Sequence, residues 1–167
     1  MTTQPTGKKM EYKELIKSFA AKYGVANIII EDDIAALKID DVTMCFLNDS
    51  AADTLTIVAD LGRHSIDADG PFGAMMLKAN HLFQTTKGAT LFQNPDNDSF
   101  GLQQMYRLAY MDVDTLSGEV EKLTNLAEDW KAILNGSAQV QAEYAKRNTR
   151  EASTDPLDLS GDGFLRI

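Results

Sequence analysis

The residue types that could support catalysis are few in this sequence and far apart. Cys45 is the single cysteine, and it stands between Met44 and Phe46 in an apolar run, whereas a catalytic thiol needs a neighbouring base. The two histidines, His64 and His81, show no HxxxH or HExxH spacing that would bind a metal. We therefore interpret Cys45 as a small apolar filler of a strand, and we predict no catalytic residues and no histidine metal site.

The sequence motifs for phosphate binding, acid–base catalysis and calcium binding give little support for a catalytic or cofactor site. Neither GxGxxG nor GxxxxGK[ST] occurs, and the acidic groups 31–33, 67–69 and 96–98 fall in presumed turns, where Asp commonly bonds the backbone. Asp158–Leu165 resembles the first eight positions of an EF-hand loop, with oxygen ligands up to Asp162 and then Gly163. Because the sequence stops at Ile167, before the bidentate Glu, we expect weak calcium binding at best. We predict no cofactor.

Charge and composition narrow the classes of partner. The 167 residues suit one domain, and their net charge of −9 argues against nucleic acid and against an anionic membrane surface. A basic protein segment is a better partner. No apolar run follows Lys8 and Lys9, so we expect no secretory signal, and no stretch has the roughly 20 apolar residues of a membrane helix.

The first half of the chain reads as a helix followed by strands. After a polar leader at 1–9, apolar residues from Tyr12 to Tyr23 repeat with helical spacing, and Gly24 is a natural end. Four runs then have strand length and composition, with Asp40-Asp41 suggesting a tight hairpin between the second and the third. These runs are Ile28–Ile30, Ile34–Ile39, Val42–Leu47 and Thr54–Leu61.

The second half adds two helices and two strands. A helix over Pro71–Thr86 is apolar around more than half its girth, which favours burial on two sides and hence an interface. Strands over Ala89–Gln93 and Phe100–Ala109 precede a helix that starts after Asp112 or Asp114 and ends at Asn135-Gly136. The order α-β-β-β-α-β-β-α predicts an α+β fold, in which a twisted antiparallel sheet packs against helices. We assign the domain to 10–135 and a polar tail, partly helical or disordered, to 136–167.

Several stretches of this sequence resemble class I chaperones of bacterial type III secretion, the Tir-chaperone-like family. They are Gly88-Ala89-Thr90-Leu91-Phe92, the strand from Leu102 to Leu108 with its basic Arg107, and Leu126-Ala127-Glu128-Asp129-Trp130 at the end of the last helix. The resemblance covers about residues 10–135. It implies a cytoplasmic homodimer without cofactor or catalytic activity, which holds an N-terminal segment of a secreted effector in extended form.

The resemblance also implies where the partners bind. We expect the dimer to bury apolar residues of the second helix: Phe72, Met75, Met76, Leu82 and Phe83. We expect the effector to dock on apolar residues of the first helix and the sheet: Leu15, Phe19, Met44, Phe46, Phe92 and Met105. A bacterial protein of the same fold that binds or regulates other proteins outside secretion remains an alternative. An enzyme or a calcium-responsive protein is a third.

Overall fold

A computed structural model describes residues 10–25, 28–64 and 71–136. The expected leader at 1–9, the tail after Gly136 and its EF-hand-like loop all lie outside the described residues. The first helix, α1, spans Tyr12–Lys22 and buries the predicted apolar stripe from Tyr12 to Phe19, whereas Tyr23 stays 44% exposed. It ends as expected at Gly24, whose φ of +77° is left-handed, and Val25 N donates to Ala20 O across the turn.

The strands form one antiparallel sheet of six, in the spatial order β1-β2-β3-β4-β6-β5. Their bounds are β1 Ile30–Glu31, β2 Ile34–Ile39, β3 Val42–Asp49, β4 Thr54–Arg63, β5 Thr90–Gln93 and β6 Ser99–Arg107. The Asp40-Asp41 hairpin is confirmed, because Ile39 pairs with Val42. The first strand is shorter and later than predicted. The chain leaves β6 at a 3₁₀ turn over Leu108–Tyr110, whose first two residues the sequence had suggested as strand.

The second helix, α2, covers Pro71–Asn80 and ends earlier than predicted. A 3₁₀ turn over His81–Phe83 follows, with Leu82 and Phe83 both at a φ of +54°. The reversal brings Asn80 against β5, where its Nδ2 donates to Leu91 O (3.1 Å) and its Oδ1 accepts from Leu91 N (2.9 Å). Helix α2 therefore sits at the β5 edge of the sheet.

The third helix, α3, spans Val113–Leu134 and covers the inner face of the sheet together with α1. Asp112 caps it, since its Oδ1 accepts from Thr115 N at 2.7 Å, so Asp112 rather than Asp114 is the N-cap. Gly136, with a φ of +80°, follows its end as predicted. Trp130 is the largest fully buried side chain of the domain.

The two faces of the sheet have different surroundings. On the inner face, Leu55, Ile57, Ala59 and Leu61 of β4 are at most 2% exposed, as their alternation predicts. The other face, here called the outer face, keeps its side chains half-buried or exposed. One row across it joins Ile34, Leu47, Thr56 and Met105. The α+β fold with an antiparallel sheet is confirmed. Among the described helices, none is long and apolar enough to cross a membrane.

Candidate partner-binding surfaces

Four residues that the sequence suggested for effector binding lie in the core. Leu15, Phe19, Met44 and Phe46 all have 0% exposure. The Phe19 and Phe46 rings pack edge to face with centroids 5.5 Å apart, which joins α1 to β3. These side chains have no surface to offer a docked chain, so their assignment to direct effector contact is corrected here. Hydrophobic periodicity identified the apolar face of each element. That face is buried in the protein's own core.

The other two suggested effector residues lie on the outer face. Met105 is 66% exposed. Phe92 is half-buried, because its ring lies over Gly101: a Cβ built on Gly101 would clash with Phe92 Cζ. The absence of a side chain at Gly101 thus makes room for the ring. Met105 and Phe92 remain candidates for contact with a partner.

A groove at the β1–β2 end of the sheet is an apolar feature that sequence reasoning missed. It has a volume of about 580 Å³, and the residues that line it are Val25, Ile28, Ile29, Glu31, Asp32, Ile34, Ala36 and Leu37. We call it the β1–β2 groove. Ile29 is 73% exposed and Ile34 is 46% exposed. Three consecutive isoleucines at 28–30 were the available signal, and the sequence analysis used them only to predict a strand.

The main chain beside this groove is also open. Among the described residues, strand β1 pairs with β2 through Ile30 with Ala35 and Glu31 with Ile34 alone. Within the described residues, no strand pairs with the outer edge of β2 from Ala36 to Ile39. An exposed edge of this kind can accept an added strand from another chain, while neighbouring pockets take its side chains. The groove therefore combines a free edge with exposed aliphatic surface.

The residues suggested for a dimer interface separate into three groups. Met76 is 9% exposed and packs in the protomer's own core, with the half-buried Met75 beside it. Leu82 is 55% exposed and Phe83 is 47% exposed. Leu77, which the sequence analysis did not select, is 74% exposed. The side chain of Phe72 lies outside the described part of the structure. We call Leu77, Leu82 and Phe83 the α2 patch.

The candidate chemical groups are not brought together. Burial, and then the negative charge of Asp60, raises the pKa of the Cys45 thiol, which keeps it protonated and unreactive. His64 Nε2 lies 2.8 Å from Leu61 O, and His81 is exposed on the 3₁₀ turn. The described residues hold no cluster of three His, Cys, Asp or Glu that could bind a metal. The arrangement can bind a chain, and its described part shows no catalytic constellation.

A smaller cavity of about 370 Å³ lies on the outer face at the β-bulge between Asp60 and Gly62. Its polar groups serve local structure: Asp60 Oδ1 accepts from Gly62 N, and Asn97 Oδ1 accepts from Ser99 N. The Asn94 side chain likewise accepts from Asp96 N. These bonds explain the polar lining without a ligand.

Comparisons with known proteins identify relatives of the fold. The model of the Tir chaperone protein (CesT) family matches residues 14–131. A chain of the HopA1–SchA chaperone–effector complex is similar at a TM-score of 0.60 and 20% identity, covering 72% of this chain and 93% of that one. No curated protein shows significant sequence similarity.

Two further solved structures share the fold. A chain of the Yersinia pestis type III secretion chaperone SycH complex with a YscM2 fragment has a TM-score of 0.55 and 16% identity, covering 70% of this chain and 97% of that one. A chain of the Pseudomonas aeruginosa ExoU–SpcU complex has a TM-score of 0.56 and 17% identity, covering 71% and 97%. At these identities the structural likeness establishes the fold.

Proposed function

The chain belongs to the Tir chaperone protein (CesT) family, and from this premise we propose that it is a type III secretion chaperone in the bacterial cytoplasm. It binds the N-terminal segment of a secreted effector and keeps that segment soluble and competent for export. Proteins of this family are non-catalytic and act by binding effectors. The dispersed Cys45, His64 and His81 agree with a binding role.

The observation that carries the proposal is the β1–β2 groove. Ile29 and Ile34 expose aliphatic surface beside the free edge of β2 at Ala36–Ile39. An extended effector segment would bond the edge through its main chain and cover the isoleucines with alternate side chains. On the outer face, Ile34 begins the row that ends at Met105, so the surface continues beyond the groove.

We further propose that two copies associate through the α2 patch. Leu77, Leu82 and Phe83 expose large apolar side chains on or just after one short helix. Leu82 and Phe83 are also in left-handed backbone conformations, which cost roughly 1–3 kcal/mol each in non-glycine residues. Burial against a second copy would remove this surface from water and leave the β1–β2 groove of each protomer free for an effector.

The two surfaces can be separated by mutation. Full-length protein carrying a purification tag is used to capture polypeptides from the cytosol of the organism that encodes it, and the retained partner is mapped with fragments. We expect one dominant partner, retained through its N-terminal region. We expect Ile29→Asp to weaken its binding about tenfold or more, since it loses the burial of one Ile and introduces a charge.

Leu77→Asp is the matched control, because Leu77 is as exposed as Ile29 but belongs to the α2 patch. We expect this variant to lose self-association, measured by light scattering, and to keep effector binding by each protomer. Both changes are on the surface and should alter the free energy of unfolding by only about 0.5 kcal/mol. If wild-type protein captures no polypeptide, or if Ile29→Asp captures it as well as wild type does, the groove is not the effector site.

A further inference from the structure

Among the residues that the structure describes, the rim of the β1–β2 groove carries negative charge and no positive charge. Of the residues that line it, Glu31 and Asp32 are acidic, both are exposed, and none is basic. The basic residue of β2, Lys38, is directed to another carboxylate, with its Nζ 3.5 Å from Asp41 Oδ1. Resting on the function proposed above, we infer that the groove selects an extended segment in which aliphatic residues are accompanied by Lys or Arg.

The register of the hairpin places charge and aliphatic surface side by side. Glu31 pairs directly with Ile34, so their side chains share the outer face of the sheet. When one side chain of a bound segment covers Ile34, the side chain two residues along points to the same outer face. That side chain lies within reach of Glu31. A Lys or Arg there can lay its methylene groups along the isoleucine and direct its charged end to the carboxylate.

The same geometry disfavours the other classes of segment. An acidic residue near Glu31 and Asp32 would add a like charge at short range, at the edge of an apolar surface where water is partly excluded. An uncharged segment would cover the isoleucines but leave both carboxylates without a partner. The acidic rim thus acts on specificity, while the aliphatic surface and the free edge supply most of the affinity.

The preference is tested by selecting peptides with the full-length protein. The probe is a displayed library of random peptides of about twelve residues, long enough for an added strand. The selection is repeated with the double variant Glu31→Lys/Asp32→Asn, which changes the charge of the rim. A control double variant, Glu121→Lys/Glu128→Gln, makes the same change of net charge at exposed positions of α3. Ile29→Asp tests whether selected peptides occupy the groove.

We expect wild type and the α3 control to enrich peptides that combine aliphatic residues with Lys or Arg, and the rim variant to lose that preference. A selected basic peptide should bind the rim variant about threefold to tenfold more weakly at low salt, and the difference should shrink as salt rises. Enrichment of aliphatic peptides without basic residues, still abolished by Ile29→Asp, would overturn the charge rule and leave the proposed function standing.

Two other results also decide the question. Equal loss of the basic preference in the rim variant and in the α3 control would attribute it to the net charge of −9 rather than to Glu31 and Asp32. No enrichment by wild type, or enrichment that Ile29→Asp leaves unchanged, would remove the groove as a peptide site and with it the proposal on which this inference rests.

Discussion

The two ends of the sheet are treated in opposite ways. At the β5 end, α2 lies alongside the last strand and Asn80 bonds both the N–H and the C=O of Leu91. At the β1 end, the last strand has two residues, and in the described structure no strand pairs with the outer edge of β2 from Ala36 to Ile39. One end is closed by a side chain of the same chain, and the other is open beside exposed isoleucines.

This contrast indicates which end is kept for a partner. An exposed sheet edge is an aggregation hazard, and proteins commonly cover it or place charge on it. Here one edge is covered, and the other has Glu31, Asp32 and Asp33 at its hairpin. Charge limits pairing with a second acidic copy of this chain while it still admits a segment of the opposite charge. The open edge therefore has the features expected of a binding site for a partner chain.

The largest expected effect comes from two tyrosines, one towards each end of the sheet. Towards the open end, Tyr12 OH donates to Phe46 O at 2.8 Å, and burial followed by the charge of Asp33 raises the pKa of Tyr12 to about 12. Towards the closed end, Tyr106 OH donates to Glu119 Oε2 at 2.9 Å, and burial followed by that bond also raises the pKa of Tyr106.

Above pH 10 the unfolded chain releases these protons while the folded chain retains them, so the free energy of unfolding falls as pH rises. Tyr12 alone should remove about 2 kcal/mol between pH 10 and pH 12. Urea unfolding at pH 8 to 12 measures this loss, and Tyr12→Phe and Tyr106→Phe should each flatten the pH dependence. A profile in Tyr12→Phe as steep as that of wild type would show that Tyr12 ionises normally in the folded protein.

The closed edge is tested by Asn80→Ala. The change leaves the N–H and the C=O of Leu91, which is 5% exposed, without their present partners. We expect a loss of about 2 kcal/mol in the free energy of unfolding, together with concentration-dependent association through β5. Urea unfolding and light scattering measure the two effects.

Asn80→Asp is the graded variant, because a carboxylate still accepts from Leu91 N but cannot donate to Leu91 O. Its free energy of unfolding should lie between the values of wild type and Asn80→Ala. Asn125→Ala, at an exposed position of α3, is the control and should change stability by only about 0.5 kcal/mol. If Asn80→Ala is as mild as Asn125→Ala, Asn80 does not close the β5 edge, and the contrast between the two ends disappears.

Local patterns in the sequence predicted most of the fold. The stripes of α1 and α3, the bounds of β2 and the starts of β3 and β4 follow from spacing, since each element buries one continuous face. The end of α2 could not be found in this way. Leu82 and Phe83 continue an apolar helical pattern, yet Asn80 and β5 require the chain to turn there in a left-handed conformation. That requirement comes from a tertiary contact, which local sequence patterns do not show.

The candidate site was less accessible to sequence reasoning. Periodicity shows that Phe19 and Ile29 are apolar, but not that a helix and a sheet bury Phe19 completely while Ile29 stays 73% exposed. That difference depends on which strand is at the edge, and strand order is set by long-range pairing. The family resemblance indicated the kind of partner, whereas the location of an open groove required the assembled sheet.

The smallest expected effect concerns the turn at the open edge. Asp32 and Asp33 form the two-residue connection of the β1–β2 hairpin, with φ values of 46° and 62°. Such turns favour glycine at the second position, so Asp33→Gly should raise the free energy of unfolding by about 0.5 kcal/mol. Its carbonyl, which accepts from Asn48 N at 2.9 Å, is retained. Asp40→Gly, at a φ of 51°, is the matched control in the next hairpin.

The two glycine variants should differ at high pH. Asp33→Gly also removes the charge that helps to raise the pKa of Tyr12, so its loss of stability between pH 10 and 12 should be shallower than in wild type. Asp40→Gly should show the same gain in the free energy of unfolding at neutral pH, and its loss of stability between pH 10 and 12 should be as steep as in wild type. Identical alkaline slopes in both variants would mean that the acidic turn does not act on the core beneath it, and that its charge faces only solvent and whatever binds the open edge.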